Sequence, residues 1–165
     1  MPNRPLLLLS ACAAFIWTGP ASRAAEADAL AITANIQARH LPFGAVLDPI
    51  FTLTNSDTIA DYTRCGDSAL WTGHYLAAEA FRYNVTRASD ALNHVTAAVA
   101  ALKGLADVTG TNLLARCMVP VNSPFAASIA RQEAGNGVYT NALAGWIWVG
   151  NTSGGDFANF KIVPA

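Results

Sequence analysis

Two apolar-periodic segments separated by only Thr86-Arg87-Ala88 constrain this chain more than any other feature of it. On the first, Leu70, Trp71, Tyr75, Ala78, Phe81 and Val85 recur at three- and four-residue spacings; on the second, Leu92, Val95, Val99, Leu102 and Ala106 do the same. That period belongs to helices and not to strands. The expectation is an antiparallel hairpin, Ser68 to Tyr83 against Ser89 to Val108. Asp67 or Ser68 stands at the N-cap position of the first helix, Ser89 at that of the second, and Gly110 ends the pair. The second helix carries only Asp90, Lys103 and Asp107 as charges, and its opposite side is largely Ala97, Ala98, Ala100 and Ala101. Such helices suit neighbours on more than one side.

The flanking segments are mostly helical too. Glu26 to Arg39 is alanine-rich and ends before His40-Leu41-Pro42, which suits a first helix. Pro42 to Ser56 reads as an ordered loop that buries Phe43, Val46, Leu47, Ile50 and Phe51, followed by a short turn capped by Asp57 and running through Tyr62. Pro124 to Ala134 reads as a helix stopped by Gly135-Asn136-Gly137. Val138 to Thr140 and Trp146 to Val149 read as a short β-hairpin near the C-terminus. Its second strand is apolar on both faces and so needs cover on each, which nothing in the last fifteen residues is suited to supply. The fold class expected is mainly α.

The N-terminus sets an expected compartment. Arg4 precedes an apolar run from Leu6 to Trp17, a Gly19-Pro20 break and small residues at Ser22 and Ala24, the layout of a secretory signal peptide spanning residues 1–24. The run is shorter than the roughly 20 residues of a membrane span, so cleavage after Ala24 and export to the periplasm or beyond are expected, with no transmembrane segment left. The alternative is a lipoprotein signal, with Leu9-Ser10-Ala11 before an acylated Cys12. Residues 25–165 then form one domain. Loss of Arg4 and Arg23 leaves eight basic residues against eleven acidic ones, which argues against nucleic acid as a partner.

Export makes a disulfide between Cys65 and Cys117 an expectation, because Cys65 precedes the start of the hairpin and Cys117 follows its end. The other reading is two separately buried thiols. No Cys-x-x-Cys occurs, and His40, His74 and His94 are scattered; no metal site and no cofactor are expected.

The candidate chemistry gathers on the first helix of the hairpin. Asp67 is a candidate acid, or simply a cap. His74 is a candidate acid or base, or a hydrogen-bonded packing residue. Glu79 and Arg82 have the spacing of an ion pair on one helix. Asp67 and Glu79 lie about 18 Å apart along a helix, too far for the carboxylate pair of glycoside hydrolysis, so a second carboxylate must come from a segment such as Asp48 or Asp61. Trp71, Tyr75, Trp146 and Trp148 are candidate stacking platforms for sugar rings or core residues. Arg116 is a candidate for holding a carboxylate or for pairing with Asp67.

The run from Arg64 through Thr86, with Asp67-Ser68-Ala69-Leu70-Trp71-Thr72-Gly73 and Phe81-Arg82-Tyr83, resembles an opening helix of exported, mostly uncharacterised bacterial proteins similar to α/α toroids of the six-hairpin glycosidase kind. The resemblance extends through Val108-Thr109-Gly110, Leu114-Ala115-Arg116 and Trp148-Val149-Gly150-Asn151-Thr152-Ser153, roughly residues 40–153. It implies stacked helical hairpins and carbohydrate processing, by likeness of architecture alone. Gly154-Gly155-Asp156-Phe157 departs from the Arg-Asp-aromatic segment such proteins are expected to carry next, which suggests a truncated N-terminal part of a toroid. Three readings follow: part of a glycan-processing or glycan-binding protein, not active alone, with a cleft drawn from Asp67, His74 and Arg116 and walled by Trp71 and Tyr75; a small exported binding or structural protein that self-associates or takes a protein partner through exposed apolar helix faces; or a fragment with no independent activity.

Overall fold

The computed structural model describes residues 26–111, 113–140, 145–150 and 161–162. The segment expected to be a signal peptide, residues 1–24 with Cys12, and Asn151-Thr152-Ser153 lie outside the described residues. Helices dominate. Helix α1 spans Glu26–Asn35 and widens into a π-helical turn, Ile36–His40. Helices α2, Ser68–Thr86, and α3, Ser89–Asp107, form the expected hairpin. Arg87 makes its turn in the left-handed conformation, φ 57°, and its N–H closes on the Tyr83 carbonyl at 2.8 Å. No described helix is long and apolar enough to cross a membrane.

The strands are more numerous than the sequence suggests. Strands β1, Asp48–Phe51, and β2, Ile59–Thr63, pair antiparallel where a loop and a capped turn were expected. Each is an edge strand of a two-stranded ribbon, so Pro49 needs no ladder N–H there. A register shift between Ile50 and Phe51 hides the alternation. Asp57 caps no turn; it pairs with Arg39 at 2.6 Å.

A second sheet has the order β3-β5-β4-β6, built from β3, Cys117–Pro120, β4, Val138–Thr140, β5, Trp146–Val149, and β6, Lys161–Ile162, all antiparallel. Helix α4, Ala126–Gln132, covers one face of it. There Cys117, Val119, Val138, Ile147 and Val149 join Ile129 and the β2 residue Tyr62 in one buried cluster. On the other face Tyr139 and Trp148, with ring centroids 4.7 Å apart, meet Ala101, Leu105 and Val108 of the α3 end. The two-sided apolarity of β5 is therefore satisfied, with the cover coming from earlier elements. A methyl group on Gly104 would lie 2.6 Å from Met118 Cε, a measure of how closely α3 approaches the sheet. Trp148 is core, and Trp146 packs against the same cluster.

The hairpin itself is packed contrary to its apolar stripes. The buried residues of α2 are Ser68, Thr72, Tyr75 and Glu79. Leu70, Trp71, Phe81 and Val85 are exposed at 57%, 45%, 73% and 81%. Helix α3 buries Ala91, Ala98, Ala101 and Leu105 and leaves Leu92 and Val99 outside.

Candidate functional site

A cavity of about 400 Å³ lies between the turn that ends α1, the Val46–Asp48 segment and one side of α2. Trp71, His74 and Tyr75, spaced three and four residues apart, line it together with His40, Val46 and Asp48. The loop is held against the helix by a polar bracket: the Val46 N–H donates to Thr72 Oγ1 at 2.8 Å, and that hydroxyl donates to the Ser68 carbonyl at 2.7 Å. This is why Thr72 is inside. A threonine that satisfies a backbone donor and its own hydroxyl carries little burial penalty.

The cavity gathers residues of different legibility. Trp71 and His74 stack loosely, 5.7 Å between centroids at 41°. Both are exposed, so Trp71 is not a core residue and His74 is not a hydrogen-bonded packing residue. Tyr75 is buried and its hydroxyl accepts from the Gln37 amide. Burial pushes its phenol above the usual value, with the Gln37 bond opposing and the Glu79 charge adding to the rise. His40 was not singled out. Its Nδ1 lies 3.0 Å from the Leu47 carbonyl and its Nε2 3.4 Å from the Asn35 amide, a pair that the neutral ring protonated at Nδ1 satisfies. The only sequence signal for it was its place at the end of the first helix, where the widened π turn now sets it beside the cavity. Asp48 is the one carboxylate among the described lining residues. Asp61, the other candidate, accepts from Ser128 and Gln132 elsewhere.

Asp67 and Arg116 meet, but away from this cavity. Arg116 spends all three guanidinium nitrogens locally: Nε donates to the Gly66 carbonyl, one terminal nitrogen to Asn136 Oδ1 at 2.8 Å, the other to Asp67 Oδ1 at 3.2 Å. The Asp67 side chain, at the N-cap position, makes no capping bond. Buried Glu133 completes the latch, accepting from the Gly66 N–H at 2.9 Å and from the Asn136 amide at 2.7 Å. A Cβ on Gly66 would sit 2.9 Å from Glu133 Oε2 and 3.0 Å from an Arg116 nitrogen, so a methyl group there would push these side-chain ends aside. Asp67, His74 and Arg116 do not form one cleft, because Asp67 and His74 are about 10 Å apart along the axis of α2. Arg116 acts here as a structural tie, each of its three nitrogens holding a protein group.

Cys65 and Cys117 lie together in the core cluster, fully buried, as free thiols. The fold thus brings together the two cysteines of the expected disulfide. The Cys65 contact, burial and the nearby Glu133 charge all push the Cys117 thiol well above its usual value, with the Ser68 hydroxyl partly opposing.

Glu79 and Arg82 pair at 2.7 Å as their spacing implies, but the pair is a buried hub and not a surface contact. Glu79 is 1% exposed and also accepts from Thr33 Oγ1 of α1 at 2.7 Å, with His94 Nδ1 of α3 at 3.2 Å. Arg82 reaches on to Asp90 at 2.9 Å. Burial works against the Arg82 charge, but its hydrogen bonds to Glu79 and Asp90 more than offset this and raise its pKa. The hydrogen bond from Arg82 in turn holds Asp90 below the usual carboxylate range. The hub ties α1, α2 and α3 together and leaves Glu79 no free face for acid catalysis. Among the described residues no group of three or more His, Cys, Asp or Glu side chains is placed to hold a metal ion. No family model, no curated protein and no solved structure matches the chain.

Proposed function

We propose that this chain is an exported carbohydrate-binding protein, with the Trp71 cavity as its site, and that the α2–α3 hairpin is a unit of the toroid type its sequence resembles. The observation that carries the reading is an indole 45% exposed at the edge of a cavity also lined by His40, Asp48 and His74. A flat apolar ring beside a few hydrogen-bonding groups suits the face and the hydroxyls of a sugar. Binding is favoured over cleavage because the described lining holds a single carboxylate, and glycoside hydrolysis needs two. The alternative, a non-enzymatic partner-binding or structural protein, is favoured by the exposed Phe81 and Val85.

The test is titration of the protein with a panel of neutral and acidic oligosaccharides, followed by tryptophan fluorescence. A bound sugar should quench Trp71, and Trp71→Ala should weaken binding about tenfold, the effect of roughly 1.4 kcal/mol of stacking. Circular dichroism should be unchanged in that variant, since Trp71 is not core. No response from any oligosaccharide up to about 10 mM, a concentration above very weak dissociation constants, would remove the reading.

A further inference from the structure

The exposed side of α2 is apolar, uncharged and ordered in a way that is complementary to itself. Leu70, His74, Ala77, Ala78, Phe81 and Val85 fall on one stripe at four- and three-residue spacings, all exposed. It runs opposite the buried face formed by Ser68, Thr72, Tyr75 and Glu79. Both charged residues within α2, Glu79 and Arg82, are turned inward and paired, so the stripe brings no charge that would have to be desolvated. Solvent-facing stripes of this kind are rare on a monomer.

The occupant follows from the order of sizes along the stripe. From its midpoint between Ala77 and Ala78, each direction runs small, then a ring, then a branched aliphatic: Ala78, Phe81, Val85 one way and Ala77, His74, Leu70 the other. An interface across a two-fold axis requires that if residue i meets j, then j meets i. Two antiparallel copies of α2 centred on the alanines meet that condition: Leu70 faces Val85 of the second copy, His74 faces Phe81, and Ala77 faces Ala78. Small residues at the crossing allow close approach, with large ones filling the flanks. The same pairing brings Asp67 of one copy, which also bonds its own Arg116, to the end occupied by exposed Arg87 of the other, opposite charges, twice over. From Leu70 to Val85 the stripe is about 22 Å long on a helix about 10 Å across, a footprint smaller than that of a stable specific dimer, so the pairing expected is a weak one.

We infer that the exposed stripe of α2 is a homodimer interface, formed by antiparallel pairing with a second copy about the Ala77–Ala78 crossing. His74 and Ala78 belong both to this stripe and to the lining of the Trp71 cavity, so the second copy's Phe81 stands at the cavity's edge. The pairing stands whether or not the cavity takes a sugar.

Sedimentation of the full 17.3 kDa chain between about 1 and 100 μM, the range expected for so small an interface, tests it. A monomer–dimer equilibrium is expected, and Phe81→Glu should weaken it at least ~30-fold, as loss of a central aromatic anchor does. Phe81 is 73% exposed in one copy, so this variant should keep the wild-type circular dichroism spectrum. In a Cys12→Ala background, Ala77→Cys should form a covalent dimer on mild oxidation, and Ala97→Cys on the exposed side of α3 should not. A monomer throughout the range, an assembly larger than a dimer, a dimer indifferent to Phe81→Glu, or equal cross-linking at both cysteines would each overturn the pairing. A monomer that still binds oligosaccharide would overturn the pairing alone.

Discussion

Helices α2 and α3 are each nineteen residues long, follow one another through a two-residue turn, and are packed in opposite senses. Helix α3 buries alanine and leucine against the sheet. Helix α2 buries Ser68, Thr72, Tyr75 and Glu79 and turns Leu70, Phe81 and Val85 outward. What differs is the supply of partners. Three of the four polar side chains that α2 turns inward meet a specific group: Thr72 the Val46 N–H, Tyr75 the Gln37 amide, Glu79 the Thr33 hydroxyl and Arg82; Ser68 Oγ alone of the four is buried without a hydrogen-bond partner among the described residues. A buried polar group with its bonds made costs little, whereas one left unmade costs on the order of 1–3 kcal/mol. The face that a helix buries is thus decided by what lies opposite it, not by its own apolar count.

The sharpest way to break this contrast is at Glu79. Glu79→Ala leaves Arg82, Thr33 and His94 around an emptied hub, and denaturant unfolding should show a loss of about 3–5 kcal/mol, typical of breaking a buried ion pair. A loss below about 1 kcal/mol would mean that the polar side of α2 is not what holds α1 and α3 together. Next comes α3. Ala98 is 3% exposed and Ala97 is exposed, so Ala98→Leu should cost about 1–3 kcal/mol by overpacking while Ala97→Leu stays within about 0.5 kcal/mol. Equal effects at the two positions would erase the assigned burial of α3.

The smallest effect expected is in alkali. The fold raises the Tyr75 pKa by burying the neutral phenol, so its contribution is fully present below the unfolded value near 10 and is lost as pH rises through the higher folded value. Unfolding free energy should therefore fall above about pH 10, and less steeply in Tyr75→Phe than in wild type. Tyr62, whose pKa burial also raises, keeps part of the slope in that variant. The buried face of α3 carries no titratable group and offers no counterpart. A slope identical in the two proteins would remove Tyr75 from the account.

The hairpin was legible in the sequence because a helical period sustained over nineteen residues leaves no other local reading. Its orientation was not, since the partners of Thr72 and Glu79 lie 26 and 46 residues away in the chain. The cavity was half legible: Trp71, His74 and Tyr75 share a side of one helix, whereas His40 and Asp48 reach it only through a π turn and a bulged ribbon that no periodicity announces. Asp67 and Arg116 were legible as a pair, whereas the bonds from Arg116 to Gly66 and Asn136 that fix it in place were not. The two strand segments read near the C-terminus were legible from Trp146-Ile147-Trp148-Val149, and β3 was not, since Cys117-Met118-Val119-Pro120 lacks aromatic residues and ends on a proline.

The Gly66 cradle also bears on the order in which the molecule forms. Its bond to Glu133 closes a loop of 67 residues, and that from Arg116 closes one of 50. Helical turns form from neighbours within microseconds, whereas contacts across such spans wait for loop closure. On that ground the α2–α3 pair is expected to form before β3 and α4 latch its lower end. A methyl group at Gly66 should delay that last step more than it disturbs the helices already in place.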